Sequence, residues 1–279
     1  MRHVPAIASA ALVSVMLFSC GQTPPLKGPA YHIFDGHDDV VGQYIAADPQ
    51  WSLDTRDIMH ELPGQADIPR WRKGGFGGSM ITMDGGAAPR DKQRFPQMAR
   101  AFDWFDALVA RYPHEISRAE GPADVRRAMA QHHLALAMAI EGGDELDGSL
   151  DNLRTAYSRG VRMLLIVYDH NNEIGDGAMA FVESAAIAAP HHGGLTDYGR
   201  TLIREMNEMG VIVDLSHASS ETALQAIEIS SAPVVFSHSG VRALADTPRN
   251  VPDDVLRRLK DNGGIIMITF VPYLTTTRN

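Results

Sequence analysis

The sequence predicts an α/β fold of the (β/α)8 TIM-barrel type, on three observations. Short apolar runs alternate with longer stretches of helical periodicity, which argues for a parallel sheet. Most intervals between the runs are long enough for a crossover. Histidines and carboxylates fall at the C-terminal ends of the runs, where barrels of this type carry their chemistry. The expected strands are Tyr31–Phe34, Ser79–Met83, Leu134–Ile140, Val161–Val167, Val211–Leu215, Pro233–Phe236 and Ile265–Phe270. A closed barrel needs eight strands and only seven are counted, so the expected barrel, residues 31–279, is truncated before its last strand.

The helices between them follow from spacing. Phe95–Tyr112 repeats Met98, Phe102, Phe105, Leu108 and Val109 near the helical period. Leu195–Met209 does so with Leu202, Ile203, Met206 and Met209, and stops at Gly210. Pro252–Leu259 starts with Pro and two Asp and continues into Arg257 and Arg258, matching the preferences of the helix dipole. The glycine-rich "RKGGFGGSM" lacks the lysine-hydroxyl ending of a phosphate loop, so a tight turn into the second strand is expected. The pairs His132-His133 and His191-His192, and the acidic run after Glu141, read as solvated loops.

The ends of the chain and its charge bound the functional classes. Arg2 precedes an apolar stretch, Ala6–Phe18, too short for a comfortable membrane span and typical of a secretory signal. Leu17-Phe18-Ser19-Cys20 resembles the bacterial lipobox, which makes residues 1–20 a lipoprotein-type signal peptide, Cys20 its lipid anchor and 21–30 a tether. The expected location is exported, either membrane-anchored or periplasmic. Cys20 is the only cysteine, so no internal disulfide can form. A formal charge of -9 without a basic stripe argues against nucleic acid.

The chemistry-bearing residues lie at four strand ends. The first strand breaks into Asp35-Gly36-His37-Asp38-Asp39; in an extended chain His37 and Asp39 share a face and Asp38 points away. The same alternation puts Asp35, which has no assigned role, on the face of His37. The third strand is apolar until Glu141 and then turns on Gly142-Gly143. "VIVDLSHAS" delivers His217 and "PVVFSHSG" delivers His238. Any one of these alone is better read as an ordinary surface or satisfied polar residue. Together, three His, one Asp and one Glu are the donor set of zinc and its neighbours, and five are too many for one catalytic zinc with an open position. They suit two ions if a carboxylate bridges.

"DGHDDV", "IEGG", "GVRMLLIVYDHNNEIGDG", "GLTDYGRTLIREMNEMGVIVDLSHAS", "PVVFSHSGVRAL" and "RNVPDDVLRRLK" resemble, in order, the membrane dipeptidase (renal dipeptidase) family of metallopeptidases. The resemblance implies a (β/α)8 barrel with two zinc ions, His37 and Asp39 on one, His217 and His238 on the other, and Glu141 bridging as the catalytic carboxylate. It implies Arg249 as a clamp for a substrate carboxylate, a role suited to its bidentate fork. Tyr168 falls where mammalian members carry a substrate-binding histidine; His170, two residues on, is the alternative. The implied substrates are small dipeptides, with tolerance of a D-residue at the second position, and a homodimer is compatible with it.

One part of the family pattern is missing: "VPYLTTTRN" after Phe270 holds no acid where the family has a further strand ending in a catalytic aspartate. A fragment, or a truncated form of low stability or activity, is therefore expected. Two rivals remain. Another binuclear amidohydrolase acting on small amides or lactams needs the same metals but not the carboxylate clamp. An inactive or binding lipoprotein relative would keep the barrel without turnover.

Overall fold

Every described strand is parallel to its neighbours, because crossovers between consecutive strands return the chain to the same end of the sheet. The computed structural model describes residues 33–41, 53–54, 57–60, 62, 64, 66–83, 94–179 and 191–276. The leader, the tether, Cys20 and the expected strand start at Tyr31 lie outside these residues.

In chain order the elements are β1 (Ile33–Asp38), α1 (Ile68–Lys73), β2 (Phe76–Met83), α2 (Ala99–Arg111), β3 (Ile116–Arg118), α3 (Pro122–Ala130), β4 (Leu134–Glu141), α4 (Leu150–Ser158) and β5 (Val161–Leu165). They continue as α5 (Asp197–Met209), β6 (Ile212–Asp214), α6 (Ser220–Ile229), β7 (Val235–Ser239), α7 (Asp253–Asn262), β8 (Ile265–Ile268) and α8 (Pro272–Thr275). The sheet runs β1-β2-β4-β5-β6-β7-β8, a nearly closed parallel barrel of seven strands. The seven expected strands are all present with shifted ends. Among the described residues the one strand missed, β3, pairs only with the first residues of β4, Leu134 to Leu136, and its three residues are too few for a periodic signal.

β4 shows how the barrel is built. Leu134, Leu136, Met138 and Ile140 belong to the large core shared with the helices. Ala135 and Ala137, on the other face, belong to a small cluster with Phe34 and Met80. The two-residue period of a strand carries this second row on to Glu141. Small residues along that row leave room for neighbours, and the strand, buried on both faces, has no solvent-facing alternation to betray its orientation.

Two helices stop as the sequence predicts. α5 begins with Thr196 accepting from the Gly199 amide and ends at Gly210, whose φ of 75° is the left-handed cap glycine accommodates. α7 carries Asp253 and Asp254 in its first turn, Lys260 in its last, and ends at Gly263 with φ 81°.

Two loop expectations are corrected. The glycine-rich stretch is not only a turn: Gly74 and Gly75 turn, but Gly77 and Gly78 lie within β2. The acidic run after Glu141 is solvated only in part, at Asp147 and Gly148. It forms a 3-10 turn, Gly143–Leu146, in which Glu145 is buried and bonded to Arg94 Nε at 2.7 Å, while Asp147 accepts the Arg94 and Phe95 amides. Their partners lie some fifty residues away, which no local pattern reveals.

Candidate metal centre

The first corner of the site is a bulged strand end. Pairing of β1 with β2 slips between Asp35 and Asp38, so three steps on β1 span two on β2. A bulge re-aims side chains beside a site. Asp35 stays out of the cluster: its Oδ1 receives the His37 amide at 3.4 Å. Asp38 also turns away, accepting from Trp71 Nε1 at 3.2 Å and from the Val40 amide at 2.9 Å. His37 Nε2 lies 3.0 Å from Asp39 Oδ1 and 3.3 Å from Glu141 Oε1. Thr82, on β2, donates to Asp39 Oδ1 at 2.8 Å and holds that carboxylate.

The second corner comes from β6 and β7. His217 Nε2 and His238 Nε2 each lie 3.5 Å from Glu141 Oε1, and 2.9 Å from one another. His217 has φ 69°, in the left-handed region where a non-glycine residue is strained; such strain gathers at functional sites. Glu141 is followed by Gly142 at φ 97°, a conformation that turns the chain sharply off β4. His37 stacks on His238 with ring centroids 3.7 Å apart, and Tyr168 stacks on His217 at 4.5 Å. All five expected ligands are thus brought together at the C-terminal mouth of the barrel.

The electrostatics of this mouth are strained. Burial pushes the Glu141 carboxyl up to about 8, against the opposing pull of His37. Burial works to lower His37, but Glu141 and Asp39 outweigh it and raise the imidazole to about 9. Burial holds His217 down to about 4, despite its bond to Asp169, and His238 well below the usual imidazole range. Asp39 is the exception: burial would raise it, yet the hydrogen bond and charge of His37, with Thr82, keep it low.

The donors fit a metal. Metal–nitrogen bonds of about 2.1 Å at tetrahedral angles put neighbouring ligand atoms roughly 3.4 Å apart, and the distances here run from 2.9 to 3.5 Å. Two overlapping groups, His37–Asp39–Glu141 and Glu141–His217–His238, share Glu141 and could each hold an ion. A third group, His37–Asp214–His238, includes an aspartate the sequence reading passed over within "VIVDLSH". Asp214 is fully buried and already accepts from the Ser216 and Ser237 amides at 3.0 Å each and from the Ser237 hydroxyl.

The remaining expected residues surround the cluster. Arg249 is 4% exposed and donates from Nη1 to Ser239 Oγ and from Nη2 to the His238 carbonyl, both at 2.8 Å. Two of its five N–H donors are thereby spent. Tyr168 is 36% exposed at the rim. His170 is buried and lies 3.8 Å from Asp144 Oδ2, its ring centroid 6.4 Å from that of Tyr168. Asp169 was missed: its Oδ1 meets His217 Nδ1 at 2.5 Å. No spacing rule pairs residues 169 and 217; only the barrel does.

A parallel barrel gathering imidazoles and carboxylates at the C-terminal ends of its strands defines the class of metal-centred α/β barrels. Residues 29–279 match the family described as membrane dipeptidase (peptidase family M19), and the chain belongs to that family. An uncharacterized dipeptidase of Schizosaccharomyces pombe is 33% identical over 254 residues, covering 87% of this chain and 60% of its own length. The dipeptidase tcpJ of Claviceps purpurea is 36% identical over 250 residues, covering 86% and 57%. A metallo peptidase from Rhodobacter sphaeroides, solved with a phosphinate mimic of the dipeptide L-Ala-D-Ala, superposes with a TM-score of 0.73 at 25% identity, over 88% of this chain and 75% of that one. The chain thus spans about 60% of the length of these curated relatives.

Proposed function

We propose that the chain supplies the site of a metal-dependent dipeptidase, with zinc as the ion and a dipeptide as the substrate. The observation that carries this reading is the convergence of three imidazole nitrogens on Glu141 Oε1 within 3.5 Å, with Asp39 beside them. His37 and Asp39 would hold one ion, His217 and His238 the other, and Glu141 both. When bound, such ions supply an acidified water and a Lewis acid for the scissile carbonyl.

The chain's own residues supply recognition. Arg249 keeps three N–H donors beyond those given to Ser239 and His238, enough for a bidentate grip on a substrate carboxylate. Its own two bonds hold the guanidinium in place before substrate arrives, which lowers the cost of ordering it. The Tyr168 hydroxyl, at the rim, can donate to a substrate carbonyl. Its phenol is raised by burial and by the charges of Glu141 and Asp169, so it stays a donor. The ligand of the Rhodobacter sphaeroides relative supports a D-residue at the second position. The leader and Cys20 support an exported, lipid-anchored protein, which a Cys20→Ser variant tests by its release from the membrane fraction.

The rival reading, hydrolysis of small amides or lactams, shares the metal chemistry and differs at Arg249. Rates on a dipeptide and on its C-terminal amide separate the two. The zinc-loaded chain should cleave the dipeptide about 100-fold faster, the order expected for one charge-assisted pair; equal rates remove the clamp. Glu141→Gln should lose zinc and turnover together, and a variant that keeps both ends the two-ion reading.

A further inference from the structure

The hydrogen bonds behind the two paired imidazoles determine which of their nitrogens carries the proton. Ser237 Oγ donates its single proton to the Asp214 carboxylate, which can only accept. The contact between Ser237 Oγ and His238 Nδ1, 2.9 Å long, must therefore run the other way, from Nδ1–H to Oγ. Asp169 Oδ1 is likewise an acceptor, so His217 Nδ1 carries the proton in their 2.5 Å contact. In the neutral imidazoles both Nε2 atoms are then bare lone pairs, and these lie 2.9 Å apart. Two lone pairs that close repel, unless a cation or a proton sits between them.

The geometry points to Asp169 and the relay Asp214–Ser237 as positioning residues that fix His217 and His238 in the Nδ1–H tautomer, each presenting Nε2 to a metal. The two arms differ in kind. His217 leans on a carboxylate directly, whereas His238 leans on a hydroxyl that a buried carboxylate polarises. Asp214, within ligand reach of His37 and His238, is thereby assigned to support instead of ligation, since three donors already occupy it. Ser216 reinforces the arrangement, its Oγ accepting the His238 amide at 3.1 Å. The part concerning metal rests on the proposed function; the tautomer assignment does not.

Two measurements on the full chain test it. Long-range proton–nitrogen correlation of the 15N-labelled, metal-free protein should show Nδ1 protonated on both His217 and His238, with any proton shared between the two Nε2 atoms additional to these. An Nε2–H tautomer at His238 overturns the relay, and this spectrum decides even where a variant fails to fold. Chelator competition with Co2+ should then show Asp169→Ala and Ser237→Ala weakened roughly 10- to 100-fold, as for other supports of ligating histidines. Ser237→Thr, which keeps the hydroxyl, should restore affinity close to the parent. Unchanged Co2+ affinity in Ser237→Ala also overturns the assignment. A chain with the expected tautomers that binds no Co2+ would sink the metal reading and leave the tautomers standing.

Discussion

Gly36 offers a direct test of how β1 sets the site. A Cβ placed there would lie 2.6 Å from the Ser237 carbonyl oxygen and 2.2 Å from Met267 Sδ. The methionine sulfur ends a flexible side chain and can rotate away. The Ser237 carbonyl is backbone and sits about 0.8 Å closer than the 3.4 Å at which ordinary contact begins. Gly36→Ala must therefore push β1 and β7 apart by most of that distance. Overpacking of this kind costs about 1–3 kcal/mol. The displaced residues adjoin His37 and His238, whose rings stack at 3.7 Å, so the strain acts on the ligands themselves. A misplacement near 1 Å costs about 100-fold in rate for a positioned group. Urea unfolding should show the stability loss without a change in the slope, and zinc content and dipeptide turnover should both fall. A Gly36→Ala protein with parental midpoint, zinc content and turnover would refute the close approach of β1 to β7.

The other predictions concern burial, strain and linkage. Arg94→Ala should destabilise the chain by about 3 kcal/mol, because it removes the guanidinium paired with the buried Glu145 carboxylate; a loss under about 1 kcal/mol in urea unfolding would show that the pair contributes little to stability. His217→Gly and His217→Ala both remove the imidazole, but only Ala retains a Cβ at φ 69°. The glycine variant should be the more stable by about 1 kcal/mol, and a more stable alanine variant would deny the left-handed backbone there. Zinc at about 100 times its dissociation constant should add about 2.7 kcal/mol to stability, an effect that Glu141→Gln should abolish; an equal gain in that variant would place the ion elsewhere.

The sequence was most legible where local pattern and tertiary role coincide. β4 reads as a buried strand because its apolar run is unbroken, and Glu141 stands out because it breaks the run just before two glycines. α5 and α7 end on glycines that the left-handed caps use. The five converging residues were legible because each ends a strand, and parallel strands of a barrel end at one mouth. What stayed hidden depends on the barrel's closure. Thr82 supports Asp39 from the next strand, Asp169 meets His217 from across a crossover, and Glu145 is buried by Arg94. None of these pairs has a spacing that periodicity can register. Asp35 is a related case: alternation alone puts it on the face of His37, but the bulge between Asp35 and Asp38 interrupts that alternation, and its carboxylate accepts the His37 amide.

These supports explain how a mouth whose ligands, Asp39 apart, are buried or half-buried can hold so many ionisable groups. Glu141 is raised by burial, His37 by the carboxylates around it, and the two remaining imidazoles are kept neutral. Without a cation, the lone pairs of His217 and His238 oppose each other across 2.9 Å, and only protons can relieve the repulsion. Asp39 and Glu141 would be drawn to the same positive charge, so a metal satisfies at once four groups that protons satisfy one at a time. The surrounding hydrogen bonds hold each donor in place before any ion arrives: Thr82 on Asp39, Asp169 on His217, Ser237 on His238. Such pre-organisation moves the cost of ordering the ligands from the binding step to the folding step. The strained φ of His217 is one part of that cost the structure makes visible, and it falls on the residue that closes the pair.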